Sequence, residues 1–109
     1  MEPTLLPGDR LYLERPRKGS PPYRKGEVVV VTDPETSGRW LIKRIGASEG
    51  ERPDPGTEAV HAGYVYLVGD NPARSRDSRA FGPVPIRSVV GRVRVRYWPP
   101  ARRGSIADA

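Results

Sequence analysis

A single small, mostly antiparallel β domain is the fold that this chain predicts, and three observations carry the prediction. Twelve glycines and 13 prolines stand among 109 residues, which breaks up long helices and favours short strands between tight turns. Residues 28–31 are four consecutive valines, a β-branched run too short for a buried helix. Residues 9–14 and 92–96 alternate apolar with polar, the two-residue period of a half-buried strand.

Taken in order, residues 1–8 carry Pro3, Pro7 and Gly8 and read as an extended, turn-rich lead-in. In residues 9–14, Leu11 and Leu13 share one face while Arg10, Tyr12 and Glu14 share the other. Residues 15–25 hold Pro16, Pro21 and Pro22 without periodicity and read as a loop. Gly26 and Glu27 turn into the valine strand, 28–32, and the turn formers of 33–38 make a hairpin-like connection. Residues 39–45 are the next strand, 46–56 are polar, acidic and turn-rich, and 64–68 are a further strand. Residues 69–85 form a dense polar run, either a long solvated loop or a cross-braced site. Residues 85–89 have room for one helical turn. Residues 89–97 close the domain, with Val93 and Val95 alternating against Arg92, Arg94 and Arg96. The domain therefore spans 1–99, and residues 100–109 read as a flexible tail.

Composition narrows the chemistry. With no cysteine there is no disulfide framework, thiol nucleophile or thiolate metal site, and one histidine, His61, makes a multi-histidine metal site implausible. No cofactor is expected. The net charge of +6 suits nucleic acid or an anionic membrane surface, although a solvated basic surface is the plainer reading of its arginine clusters. No apolar run approaches the ~18 residues of a membrane span, so the chain as written reads as soluble.

Lys43 is oddly placed. Alternation in residues 39–45 puts Leu41, Lys43 and Ile45 on one face and Trp40, Ile42 and Arg44 on the other, so a cation sits among large apolar groups whichever face packs inward. One account has Lys43 at an edge with its ammonium reaching water. The other has it desolvated, with a pKa lowered from ~10.4 into the range of a general base, and Arg44 pushing the same way. Such a base needs a hydroxyl. Of seven serines, Ser20, Ser37 and Ser48 lie in loops without activating neighbours and Ser105 lies in the tail. Ser75 and Ser78 fall in the polar run and Ser88 beside the last strand. A Ser-His-Asp triad through His61 has little weight, because that residue sits in a turn where a solvent-exposed imidazole is the usual outcome.

Four stretches resemble the type I signal peptidases, the serine/lysine-dyad peptidases that remove leader peptides. They are Met1-Glu2-Pro3-Thr4-Leu5; Gly8-Asp9 with Gly26-Glu27-Val28-Val29-Val30; Ile42-Lys43-Arg44-Ile45-Gly46; and Gly69-Asp70-Asn71 with Ser75, Asp77-Ser78-Arg79 and Gly82-Pro83-Val84-Pro85. The resemblance runs in family order over residues 1–99. It implies coiled antiparallel sheets, in agreement with the strand reading. It also implies Lys43 as general base, Ser75 as a hydroxyl orienting its ammonium, and Asp77 with Arg79 as a supporting ion pair. Gly69, Asp70 and Asn71 hold the turn into the site, and Met1 and Pro3 are candidates for the substrate groove. The implied partner is the extended leader region of a precursor, cut after small residues and bound by β-augmentation. Membrane association is implied too, with no anchor encoded in these residues and a soluble cytoplasmic protein as the alternative.

In that family the nucleophilic serine directly precedes the methionine that is Met1 here, so no residue of this chain is expected to be the nucleophile, and the chain as written is expected to be inactive. A start site assigned at an internal methionine is the preferred explanation; truncation and a catalytically dead pseudo-peptidase are the others. Gly69-Asp70-Asn71-Pro72, the short body and the closing Arg96-Tyr97-Trp98-Pro99 are similar to the small peptidases that trim the leader of nickel superoxide dismutase, an alternative within the same chemistry. Self-cleaving repressor domains resemble the same fold but carry an N-terminal DNA-binding domain. A basic β domain binding nucleic acid is the rival from another class. It is disfavoured because such binding wants aromatics interleaved with the arginines on one face, and only Tyr97 and Trp98 come near, at the end of a strand.

Overall fold

The valine run lies at the centre of the sheet. In a computed structural model of the chain, which describes residues 10–70, 76–98 and 104–105, β1 is Arg10–Glu14, β2 Val28–Thr32, β3 Trp40–Ala47 and β4 Tyr64–Val68. A single helical turn, α1 (Ser78–Phe81), precedes β5 (Val84–Pro85) and a 3-10 turn at Ile86–Ser88. The long β6 (Val89–Trp98) and the short β7 (Gly104–Ser105) follow. Every pairing among the described residues is antiparallel, in the order β1-β6-β2-β3-β4-β5, with β7 also on β6. The fold is a mostly β, single small domain with little helix, as expected from sequence.

Strand β2 is continuous valine because both of its faces are covered. Val29 and Val31 join Tyr23, Ile45, Val65, Leu67, Val84 and Val89 in the main core, with Leu41, Phe81 and Ile86 packed around it. Val28 and Val30 point the other way and pack with Val93, Leu13, Ile42 and Val90. At about 1.5–3 kcal/mol for each large aliphatic side chain fully removed from water, these two layers supply the main drive for collapse. Strand β6 receives β1 along one edge and β2, then β7, along the other. Gly91 permits the β1 approach, since a Cβ there would lie 2.6 Å from the Glu14 carbonyl oxygen.

Several details differ from the sequence expectation. Strand β3 runs two residues further, through a register shift between Ile45 and Ala47. The polar run contains both α1 and β5, and Gly104–Ser105, in the segment read as a tail, pairs with β6. Arg92 is buried, with 3% of its surface exposed, where the alternation suggested a solvated arginine. Its Nε donates to Glu27 Oε2 at 2.8 Å, its Nη2 donates to the Pro21 carbonyl, and its guanidinium lies 4.2 Å from the Tyr23 ring centroid. The loop before β2 folds over this face of the sheet, so the arginine clamps loop to strand instead of facing water.

Candidate active site

Of the two alternatives for Lys43, burial prevails. Lys43 lies opposite Val29 in the β2–β3 ladder, on the face that carries Leu41 and Ile45 into the main core, and only 7% of its surface is exposed. Desolvation is the main cause that holds its pKa below the ordinary lysine value. Asp77 acts against that shift, Arg79 and Arg39 reinforce it, and Asp33 opposes it weakly. Across β2, Arg92 lies on the same row, also opposite Val29. The Arg92 guanidinium has the Glu27 carboxylate at hydrogen-bonding distance, so one face of the sheet carries two buried basic side chains.

The polar run is the cross-braced alternative where it is described. Strand β5 pairs only with the start of β4, at Tyr64 and Val65. Further along that edge, the Leu67 and Gly69 amides donate to side chains: Leu67 N–H to Ser78 Oγ and Gly69 N–H to Asp77 Oδ2, both at 2.8 Å. Two side chains from the start of α1 thus complete the ladder where the strand ends, satisfying donors that burial would otherwise orphan. Asp77 is the N-cap of α1, with Oδ1 accepting from the Arg79 amide at 3.0 Å, and it is 1% exposed. Its carboxylate also accepts two hydrogen bonds from the Arg79 guanidinium, from Nε at 3.0 Å and from Nη2. Burial pushes the Asp77 pKa up, yet the Arg79 guanidinium and the Gly69 and Arg79 amides outweigh it, so the net shift is downward. Asp77 is therefore ionised at neutral pH and paired with Arg79.

Asp70 has a second brace that the sequence expectation missed. Arg44 Nε and Nη2 donate to its two carboxylate oxygens at 2.9 and 3.0 Å, and Arg44 Nη1 donates to the Gly26 carbonyl at 2.8 Å. The Lys-Arg pair on β3 thus divides by face. Lys43 turns into the main core, and Arg44 turns to the opposite face, where its largely buried side chain holds the exit of β4 and the turn before β2. The available signal was an aspartate following the strand that pairs with Arg44's own strand.

A pocket of about 460 Å³ opens beside Lys43. Leu41 and Phe81 give it an apolar side, and Asp33, Glu35, Arg39 and Arg76 give it a charged rim. Asp33 and Arg39 approach to 3.8 Å, and Arg76 donates to both Glu35 oxygens at 2.5 and 2.7 Å. Of the expected site residues, Lys43, Gly69, Asp70, Asp77 and Arg79 gather at the end of β4. Ser75, Asn71, Met1 and Pro3 lie outside the described residues. His61 is exposed, with Glu58 at 4.0 Å as its charged neighbour. Among the described residues, no group of three His, Cys, Asp or Glu side chains is arranged to hold a metal, and no helix is long and apolar enough to cross a membrane.

Comparison with known proteins adds a lineage to this geometry. The family model described as "Signal peptidase, peptidase S26" matches residues 1–54 and 52–98. Subunit 1b of the mitochondrial ATP-independent inner membrane protease of Arabidopsis thaliana is 38% identical over 110 residues, covering 91% of this chain and 65% of that protein. Mitochondrial inner membrane protease subunit 1 of Xenopus tropicalis is 30% identical over 117 residues, covering the whole of this chain and 70% of that protein. Thylakoidal processing peptidase 1 of Arabidopsis thaliana is 35% identical over 140 residues, 94% of this chain and 40% of its own length. The chain thus spans less than two thirds of the first of these relatives.

Proposed function

Because the chain belongs to the peptidase S26, or signal peptidase, family, we propose that it is the core of a serine endopeptidase that cleaves leader peptides after small residues with Lys43 as general base. The observation that carries the reading is the burial of Lys43 on the core face of β3, which disfavours its charged form and lowers its pKa in the direction a general base needs. In this reading the nucleophile is a serine placed directly before Met1 in the longer polypeptide. Neutral Lys43 takes the serine proton as the alkoxide oxygen attacks the scissile carbonyl carbon. The lysine ammonium then protonates the departing amine as the C–N bond breaks, leaving an acyl-enzyme. Water attacks the ester, giving one proton to Lys43, and collapse of that intermediate returns a proton to the serine oxygen.

The same reading gives neighbouring residues supporting roles. Asp77 and Arg79 hold the start of α1 against β4 and shape the wall around Lys43; Arg44 and Asp70 fix the turn that leaves β4. Ser75, one residue before Arg76, is the hydroxyl proposed to orient the lysine amine. The precursor's leader would lie extended against a strand edge, at a membrane surface in keeping with relatives named as inner membrane proteases.

The test uses protein extended by a serine before Met1 and a peptide spanning a leader junction. Extended protein is expected to cleave after a small residue, and Lys43→Met to abolish cleavage while the fold is retained. Cleavage surviving in Lys43→Met would overturn the assignment of the base. Offering a leader from a nickel superoxide dismutase precursor beside one from an inner-membrane precursor separates the two substrate readings.

A further inference from the structure

The Glu35–Arg76 pair joins two parts of the chain that are 41 residues apart. Glu35 sits at the tip of the β2–β3 hairpin, and its position there is built in. Its amide donates to Asp33 Oδ1 at 2.8 Å, Asp33 N–H donates to the Arg39 carbonyl at 2.8 Å, and Gly38 has the positive φ of 80° that closes the turn. Arg76, on the other side, directly precedes Asp77, which is tied to β4 through Gly69. The carboxylate and guanidinium meet through two parallel hydrogen bonds, the geometry with most orientational specificity for this pair. Both residues line the same pocket as Lys43. The pair therefore spans from the hairpin tip to the entry of α1 beside the lysine.

Resting on the reading of Lys43 as the base, we propose that Glu35 is a positioning residue for it: by holding Arg76, Glu35 keeps the hairpin tip and the α1 entry together over the Lys43 pocket and limits the access of water to the lysine side chain. Among the described residues, the charged groups whose fields act on Lys43 include Asp33 and Arg39 from the hairpin and Asp77 and Arg79 at the start of α1. Glu35 and Arg76 act through the wall they build. Their side chains are 38% and 67% exposed, and an exposed pair of this kind adds little to global stability, so variants at either position fold.

The experiment titrates Lys43 by NMR in the chain labelled at lysine. Three lysines are present, so Lys18 and Lys25 serve as internal references and Lys43→Arg assigns the signal. In Glu35→Gln, opening of the wall hydrates the amine, and the Lys43 pKa shifts up toward the free-lysine value. The sign is diagnostic. Loss of a carboxylate through its field alone would shift the lysine down, because the ammonium would lose a favourable charge. Arg76→Gln also shifts Lys43 up, and the exchange Glu35→Arg with Arg76→Glu restores the parent value. In the serine-extended protein, Glu35→Gln lowers kcat at neutral pH, recovers it at higher pH, and leaves KM unchanged. A Lys43 pKa that is low in the parent and unmoved, or moved down, in Glu35→Gln overturns the role of Glu35 alone. A parent Lys43 that titrates like Lys18 and Lys25 overturns the general-base reading, and the role of Glu35 with it.

Discussion

Lys43 and Asp77 feel each other's fields while their own surroundings shift both downward, the amine mainly through burial and the carboxylate through Arg79 and two amides that outweigh its burial. The cost of the lysine appears in stability. Its folded pKa lies below its unfolded one, so it adds stability only above the unfolded pKa of ~10.4 and loses it as pH falls through the folded value. At neutral pH the unfolded chain holds this proton more readily than the folded chain, which destabilises the fold. Lys43→Met, which fills the same space without an ionisable group, is expected to raise the unfolding free energy at pH 7, read from urea unfolding, by about 1 kcal/mol even as it removes the proposed base; a fall at pH 7 would contradict a lysine pKa lowered by burial. The two arginines show where sequence reading stops at this scale. Alternation assigns Arg92 and Arg44 to faces but cannot say what covers a face. The loop bearing Pro21 and Tyr23 covers Arg92, and the chain leaving β4 brings Asp70 to Arg44.

The strands built almost wholly from β-branched and aromatic residues, Val28–Thr32 and Tyr64–Val68, coincide with their sequence boundaries, because local propensity and burial favour the same state. The elements α1 and β5 could not be read in that way. Four and two residues are too few to show a period, and what stabilises them is the unfinished edge of β4. Ser78 carries a measurable share of that interaction. Ser78→Ala leaves the buried Leu67 amide without its acceptor, for an expected loss of about 1–3 kcal/mol, read from urea unfolding with the unfolding slope unchanged. An effect within error would mean that water replaces the hydroxyl and that α1 is held by Asp77 alone.

The class of the whole molecule was legible from its turns and valines; its strand order was not. Placing β1 beside β6 pairs Leu13 with Val93 and Glu14 with Arg92, contacts between the two ends of the described chain that no local pattern encodes. The site shares this division. Alternation marked Lys43, and a family resemblance proposed Asp70, Asp77 and Arg79, whereas the partners of Arg44 and the Glu35–Arg76 pair emerged only from spatial neighbours. The net charge of +6 is likewise a property of the whole. If it holds the protein to a bilayer, the chain cosediments with vesicles containing anionic phospholipid at low salt. It is released near 0.15 M, where the screening length falls to ~8 Å, and it ignores phosphatidylcholine vesicles. Failure to bind anionic vesicles at low salt would remove the membrane surface as a partner. Salt-sensitive binding to oligonucleotides that survives Lys43→Ala would favour the nucleic-acid rival.

The edge of β4 beyond Val65 is closed by side chains, and one of its two closing groups is a carboxylate. An exposed strand edge is an invitation to foreign strands, and here the stopper at Gly69 accepts its hydrogen bond best as an anion. Acid strong enough to protonate Asp77 would weaken that stopper and the grip of Arg79 together, leaving the Gly69 amide available to another molecule's backbone. The guard against sheet-to-sheet self-association and the brace of the lysine pocket are therefore one group, so acidity strong enough to loosen the site would also make the protein adhesive.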